Sequence, residues 1–428
     1  MAEIRPFRGV HYNPELVQDL AEVICPPYDI ISPRMREELY KQSEYNFVRL
    51  EFTRELPQDS PTGKYARAAT DMARWLEKGI LKADDKPSIY LYDQHFTRNG
   101  TSFRRRSLIV TVKLEEWDKR VVRPHEYTLS APKSDRLNLL RALQANTSPV
   151  LGLFEDKSRQ IVSLLANRDR AKPLLEAKTD GEAHRIWSLN DTTTLDGIRS
   201  ALAGQPLYIA DGHHRYESAL NYRREKRAAS PSSSVEPYDY VMMILVDFAD
   251  PGLVVLPTHR LLRGIPSLDE LMPAFKQHFE VEALPSNGSE IWPRVDRLWA
   301  EDPLNLVWFD PKRSYVLRLR DLAAASKMMP AGHSETYQNL NVSVVEHIIL
   351  EKVLDITRDK EADRLGYSHD RQDAANRVIT GEYQSAILLS PVKAEVIKDI
   401  ADASDRMPRK STYFYPKLPS GLMVYRHV

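Results

Sequence analysis

Residues 206–217 read Pro-Leu-Tyr-Ile-Ala-Asp-Gly-His-His-Arg-Tyr-Glu, an apolar run that stops at Asp211-Gly212 and passes into a helical pattern headed by two histidines and an arginine. Tyr216, Ala219, Leu220 and Tyr222 to Lys226 follow at the three-and-four spacing of an amphipathic helix. The amides of His213, His214, Arg215 and Tyr216 are therefore the expected donors of its first turn. A helix N-terminus carries about half a positive charge, Gly212 lets an anion approach the main chain, and Arg215 adds a planar fork that matches a phosphate. Cations in a first turn oppose the helix dipole unless an anion meets them, which favours a phosphate site over an ordinary Asp-Gly turn.

A second constellation is Arg123-Pro124-His125-Glu126-Tyr127-Thr128. Pro124 lacks an amide hydrogen and keeps its predecessor extended, so irregular chain is expected after it. A carboxylate beside a histidine on such a loop can take a proton from a hydroxyl or hold a metal; the two would serve equally as a surface pair. The next stretch, Lys133-Ser134-Asp135-Arg136, reads as the opening of a helix capped by Ser134 or Asp135. Residues 407–419 interleave Arg409, Lys410, Ser411, Thr412 and Lys417 with Tyr413, Phe414 and Tyr415. These are phosphate ligands with aromatics that stack on a base, or else strand core with solvent-facing lysines. Cys25-Pro26-Pro27-Tyr28-Asp29 forms a rigid loop that could present Asp29 to a metal or substrate amine, with Cys25 a small buried residue. No Walker loop, Gly-x-Gly-x-x-Gly, His-Glu-x-x-His or hydrolase serine motif occurs, and His213 and His214, as neighbours, diverge too far to share one metal.

The elements that must position these residues are of mixed type. A helix is expected over 62–78, with Tyr65, Ala69, Met72, Trp75 and Leu76 on one face and Gly79 as its cap. Strands over 88–96 and 103–114 flank a hairpin turn at Arg98-Asn99-Gly100. The run Arg104-Arg105-Arg106 reads as solvated strand surface, or alternatively as a triphosphate clamp. The middle third alternates: strand 184–189, helix 194–203, strand 207–210, the glycine turn and its helix, a Ser/Pro-rich surface loop over 229–237, and buried strands over 238–248 and 253–257. Later come helices over 343–354, from 370, and over 393–401, with strands over 385–389 and 422–426. The expected fold is mixed α/β. Three sub-structures, 1–158, 159–330 and 331–428, share the motifs, so a site assembled among them is expected.

The chain has 428 residues, 42% of them hydrophobic, enough for two or three cores. Lys plus Arg equals Asp plus Glu at 60 each, which supplies no basic field, so specific nucleic acid is not an expected partner. A single cysteine, no apolar leader and no long apolar run predict a cytoplasmic protein with no membrane partner.

The string from Ile209 to Tyr216 resembles the Gly-x-His-Arg or Gly-x-Arg-Arg nucleotide-binding turn of ParB proteins, sulfiredoxins and free-serine kinases. The wider chain resembles the domain-of-unknown-function family number ten-fifteen. The strings that carry this are Pro6-Phe7-Arg8-Gly9, Cys25 to Asp29, Arg49-Leu50-Glu51, Pro124 to Thr128, Leu256-Pro257-Thr258-His259-Arg260 and Lys410 to Lys417. The turn's resemblance implies a ParB/sulfiredoxin-like nucleotide-binding core and a kinase for a small hydroxyl substrate, with free L-serine first, ATP or ADP as donor and Mg2+ as cofactor. On that expectation Gly212, His213, His214, Arg215, Lys410, Ser411, Thr412 and Lys417 bind phosphates. Asp211 binds the metal and, with His214 and Glu126, is catalytic. Glu126 is the base, with Asp29 and Glu51 behind it. Asp29, His125, Thr128 and Arg260 contact the substrate. Sulfiredoxin chemistry is excluded because position 213 is His where that turn needs a cysteine. The alternatives are a ParB-like nucleotide switch or nucleic-acid adaptor without turnover, and another transferase or hydrolase of phosphorylated metabolites.

Overall fold

Asn99 and Gly100 adopt left-handed φ of 49° and 76°, which makes them the two-residue hairpin turn their types suggest. In this computed structural model, which describes residues 2–60, 62–179, 181–231, 233–284, 288–357 and 361–427, the chain forms two compact units. The first comprises Met1–Pro124, Thr128–Val254 and Pro416–Val428; the second comprises His125–Tyr127 and Val255–Tyr415. Ser232, inside the expected Ser/Pro loop, lies outside the described residues.

The first unit is built on a nine-stranded mixed sheet. In chain order its strands are β1 (Ile4–Arg5), β2 (Ile89–Arg98), β3 (Thr101–Lys113), β4 (Val122–Arg123), β5 (Val150–Phe154), β6 (Leu175–Thr179), β7 (Glu182–Leu189), β8 (Leu207–Asp211) and β9 (Tyr240–Asp247). They lie in the order β4-β8-β5-β9-β3-β2-β7-β6, with β1 also paired to β3. The β4–β8 and β5–β9 pairs are parallel, and the other pairs are antiparallel. Helices α1 (Gly63–Glu77), α2 (Ser130–Leu143), α3 (Thr192–Leu202) and α4 (His213–Ala229) belong to this unit. Residues of α2, α3 and α4 share one apolar core with alternate strand residues, among them Leu108, Val110, Val112, Leu207, Ile209, Met243 and Leu245. Gly152 on β5 admits this packing, since a Cβ there would lie 2.6 Å from Met243 Cε.

The second unit carries a six-stranded antiparallel sheet. Its strands are β10 (His259–Leu262), β11 (Phe279–Leu284), β12 (Leu306–Phe309), β13 (Ser314–Leu319), β14 (Leu365–Ser368) and β15 (Ser385–Leu388), in the order β11-β13-β12-β15-β10-β14. Helices α5 (Gly288–Glu301) and α6 (Arg371–Ile379) bury Ile291, Val295, Leu298, Ala374, Ala375 and Val378 against it. Asp370 caps α6 by accepting the amides of Gln372 and Asp373.

Four expectations are corrected. Arg105 is not solvated: it is fully buried and donates to the Gln94 side chain and, at 2.7 Å, to the Pro416 carbonyl. Arg106 is tied to Asp93 and to Asp169, the latter at 2.7 Å, which leaves only Arg104 partly solvated. The helix expected from Lys133 begins at Ser130, because Pro132 fits a first turn, where its missing amide hydrogen costs nothing. The helix expected over 343–354 starts at Asn341 and continues from Val345 to Val353 as a π-helix. Of the strand expected over 422–426, Tyr425–Arg426 pairs with Ala145–Asn146 and Val424 forms a single antiparallel bridge to Val10. Among the described residues no helix is long and apolar enough to cross a membrane.

Candidate functional site

At the head of α4, Gly212 has φ 94°, a left-handed conformation that glycine adopts without a Cβ penalty, and α4 starts at the next residue. A Cβ at Gly212 would lie 2.9 Å from Arg215 Nε, so the arginine folds back directly over the glycine. Just before the turn, the β8–β5 register slips between Ile209 and Asp211. This bulge bends the strand end and re-aims Asp211.

The Asp211 carboxylate sits between two cations. Arg215 Nη2 donates to its Oδ2 at 2.6 Å and Lys417 Nζ donates to its Oδ1, with the Lys417 side chain 11% and the Asp211 side chain 22% exposed. Burial alone would raise the Asp211 pKa, but Lys417 and Arg215 outweigh it and hold the carboxyl well below the usual carboxylate range. Arg215 Nη1 also donates to the Pro149 carbonyl, so the guanidinium is fixed from two sides.

His213 is buried and His214 half-buried. The Leu129 amide donates to His214 Nε2 at 2.9 Å, so this nitrogen is the acceptor and the ring proton sits on Nδ1. One turn further, Glu217 accepts from Thr128 Oγ1 and, at 2.7 Å, from Lys133 Nζ; these bonds outweigh burial and lower its pKa. Thr128 is thereby bound to α4 next to His214. Asp29 is exposed on a short 3-10 turn, Tyr28–Ile30.

A cluster that local sequence did not reveal lies close by. Glu51 is fully buried and accepts from Thr147 Oγ1 at 2.6 Å, Ser148 Oγ at 2.8 Å and Arg136 Nη1 at 3.3 Å. The Arg136 guanidinium in turn lies 3.9 Å over the Tyr28 ring, whose hydroxyl pKa burial pushes up to about 12. Arg136, Thr147, Ser148, Arg215 and Ser218 line one small cavity of about 30 Å³, room for a water but not for an organic substrate. With three donors on it, Glu51 is engaged as a structural anion and is poorly placed to act as a base. No short-range pattern joins Glu51 to Thr147, 96 residues away. Cys25 is buried as expected, and burial raises its pKa well above the ordinary value.

The second unit gathers the other candidates. His125 is buried, with Nε2 3.2 Å from Thr412 Oγ1, and half-buried Glu126 bridges the main chain of Met407. Arg260 is fully buried and donates to the main-chain carbonyls of Thr258, Lys410 (3.1 Å) and Arg409 (3.4 Å). It thus anchors the loop that carries Ser411, itself buried with Oγ on the Pro408 carbonyl at 2.5 Å, and the exposed Lys410 at φ 59°.

The donor set at Asp211 does not fit a metal ion, since both carboxylate oxygens are held by cations. Among the described residues no group of three or more His, Cys, Asp or Glu is placed to hold one.

Several solved structures are distantly similar to this chain. A point mutant of free serine kinase in complex with AMP is 12% identical at a TM-score of 0.37, covering 74% of this chain and 92% of that one. A conserved hypothetical protein from Pyrococcus furiosus is also 12% identical, with a TM-score of 0.36 and 74% and 95% of the two chains covered. SbnI from Staphylococcus aureus, truncated at its C-terminus, is 10% identical with a TM-score of 0.36, covering 74% of this chain and 87% of that one. Likenesses this distant carry no argument about activity. No curated protein matches the chain. The profile described as protein of unknown function, DUF1015, matches residues 4–343, and the chain belongs to that family.

Proposed function

We propose that this protein binds a nucleotide at the Asp211-Gly212-His213-His214-Arg215 turn and transfers a phosphoryl group to a small hydroxyl compound, with free L-serine the first candidate. The observation that carries this reading is the left-handed Gly212 at the head of a 17-residue helix, with Arg215 and Lys417 gathered at the same strand end. Two cations share one half-buried carboxylate beside the helix terminus, which leaves an excess of positive potential for an anion. In this reading the first-turn amides, His213, His214, Arg215 and Lys417 hold the donor phosphates. Phosphoryl transfer asks mainly for such positioning and charge stabilisation. Asp211 acts as a positioning residue that orients Arg215 and Lys417, and no step is routed through a metal. Glu126 retains the role of base, Lys410 and Thr412 that of further phosphate ligands, and Asp29, His125 and Thr128 that of substrate contacts, whereas Arg260 and Ser411 are engaged by main-chain carbonyls and are left out of the proposed site.

The test is calorimetric titration with ATP and with ADP. His214→Ala should weaken binding by about 1.5–3 kcal/mol, the range for a hydrogen bond to a charged group, and Arg215→Lys should weaken it measurably through loss of the fork. Unchanged affinity in both variants would remove the reading. Mass spectrometry of a magnesium-containing mixture of protein, nucleotide, amino acids and small alcohols then identifies the acceptor. With it, Glu126→Gln should lower kcat by roughly a hundred- to ten-thousand-fold at near-native nucleotide affinity.

A further inference from the structure

A cleft of about 440 Å³ opens elsewhere in the first unit, lined by residues that the proposed reaction does not use. Arg5 and Arg8 line it from the chain around β1, Tyr240 from the start of β9, and Tyr425 and Arg426 from the last described strand. Arg5 on β1 is separated from Asp211 on β8 by β3, β9 and β5. At a strand spacing of about 4.8 Å, four steps place the two roughly 19 Å apart. The cleft is therefore a separate site from the turn.

Its charge is unbalanced. Arg5 is compensated: it pairs with Glu3 at 2.9 Å and lies 4.6 Å over the Tyr240 ring. Arg8 and Arg426 are not. Arg8 Nε donates to the Asp84 carbonyl at 2.7 Å, and among the described residues its guanidinium meets no carboxylate. Arg426 Nε is buried with no hydrogen-bond partner among the described residues, a condition that costs free energy unless a ligand or water supplies an acceptor. The lining acid, Glu236, accepts from the Ser234 hydroxyl and caps a short helix, so it is engaged locally. Phe7, Tyr240 and Tyr425 supply an aromatic wall beside the two guanidinium groups.

We infer that this cleft binds a small organic anion in which a planar ring carries a carboxylate or phosphate-type group. The ring lies against the aromatic wall, and the anionic group accepts from Arg8 and Arg426. A volume of about 440 Å³ lies within the range of small-molecule pockets, and a forked guanidinium recognises both kinds of anion.

The experiment is isothermal titration of the full chain with two probes, indole-3-carboxylate and phenylphosphonate, which distinguish a carboxylate from a phosphate-type ligand. Binding of either at sub-millimolar concentration, weakened roughly tenfold or more by Arg8→Gln and by Arg426→Gln and unchanged by His214→Ala, supports the inference. No heat from either probe up to millimolar concentration overturns it, as does binding that both arginine variants leave intact. If Arg426→Gln fails to fold, the exposed Arg8 decides the matter alone. Because His214 belongs to the turn, loss of nucleotide binding there and loss of probe binding here are read independently.

Discussion

If Asp211 serves chiefly to hold Lys417 and Arg215, its removal and that of Lys417 must be coupled. A double-mutant cycle of Asp211→Asn and Lys417→Met measures this. Two unit charges about 4 Å apart near a protein surface attract by about 4 kcal/mol, and the partial desolvation of both groups takes back part of it. Lys417→Met leaves Asp211 with Arg215 alone, so a loss of about 2–3 kcal/mol is expected, less than for a fully orphaned buried charge. Asp211→Asn sets Lys417 beside Arg215 without their anion and costs a similar amount. The double variant should be little worse than either single one, which corresponds to a coupling of about 1.5–3 kcal/mol. Urea unfolding at neutral pH reads it from the shifted midpoint of the transition that the variants move, at unchanged slope. The sign of the pH dependence follows from the depressed pKa: the coupling is complete above the unfolded carboxyl value of about 3.9 and is lost as pH falls below it through the folded value. Single effects that add within about 0.5 kcal/mol would refute the structural role and return Asp211 to the metal-ligand reading.

Gly212→Ala should cost about 1–2 kcal/mol for the left-handed backbone, and its displacement of Arg215 should also weaken nucleotide binding in the same calorimetric titration. Burial pushes His184 and His427 down to about 4, so both enter the folded state neutral. Their contribution is complete above the unfolded value of about 6.5 and is lost as pH falls toward 4; about 2 kcal/mol each is lost by pH 5, which an unfolding series from pH 8 to pH 5 with His184→Gln would detect as a flatter acid limb. Glu51→Leu should cost about 2–3 kcal/mol by leaving the Thr147 and Ser148 hydroxyls without their acceptor while Arg136 keeps its ion pair with Asp135, whereas Glu51→Gln should cost less because it retains acceptor capacity for the two hydroxyls.

Where the sequence was legible, the cause of the structure was local. The helix Gly63–Glu77 follows from the spacing of Tyr65, Met72 and Trp75, with Gly79 at φ 71° beyond its end. The Asn99-Gly100 hairpin and the Asp211-Gly212 junction were likewise visible as residue types at fixed offsets. Where it was not legible, the partner was distant. Arg105 looks like solvated surface until Pro416, 311 residues on, brings a carbonyl to it. The start of the helix Ser130–Leu143 carries no local signal, because Leu129 offers no side-chain cap. The nearest capping residues in the sequence are Ser134 and Asp135, which place Arg136 near a helix start instead of on Glu51. Arg260 was expected on a substrate, and its guanidinium holds the carbonyls of a loop some 150 residues later.

The bulge in β8 shows why a correct motif can still conceal its geometry. Strand residues alternate between faces, and Leu207 and Ile209 both enter the core shared with α2, α3 and α4. Uninterrupted alternation would carry Asp211 onto that same face, under the helices and away from any ligand. The register slip after Ile209 breaks the alternation, so Asp211 instead meets Lys417, whose neighbour Pro416 accepts from Arg105. On β3, Leu108, Val110 and Val112 belong to the core under the helices, and Arg105, three positions from Leu108, falls on the opposite face. Asp211, Lys417 and Arg105 therefore gather on the face away from the helices, while Gly212 turns the chain back so that α4 packs on the near face. One extra residue and one left-handed glycine thus let a single strand end present a carboxylate on one side of the sheet and a helix terminus above it. Deleting Ala210 should restore regular pairing while Asp211 stays opposite Leu151, on the face away from Ile209 and the apolar core, so nucleotide binding should survive the deletion. Loss of calorimetric affinity in that deletion would mean that the turn needs the extra residue itself and not only the face on which Asp211 lies.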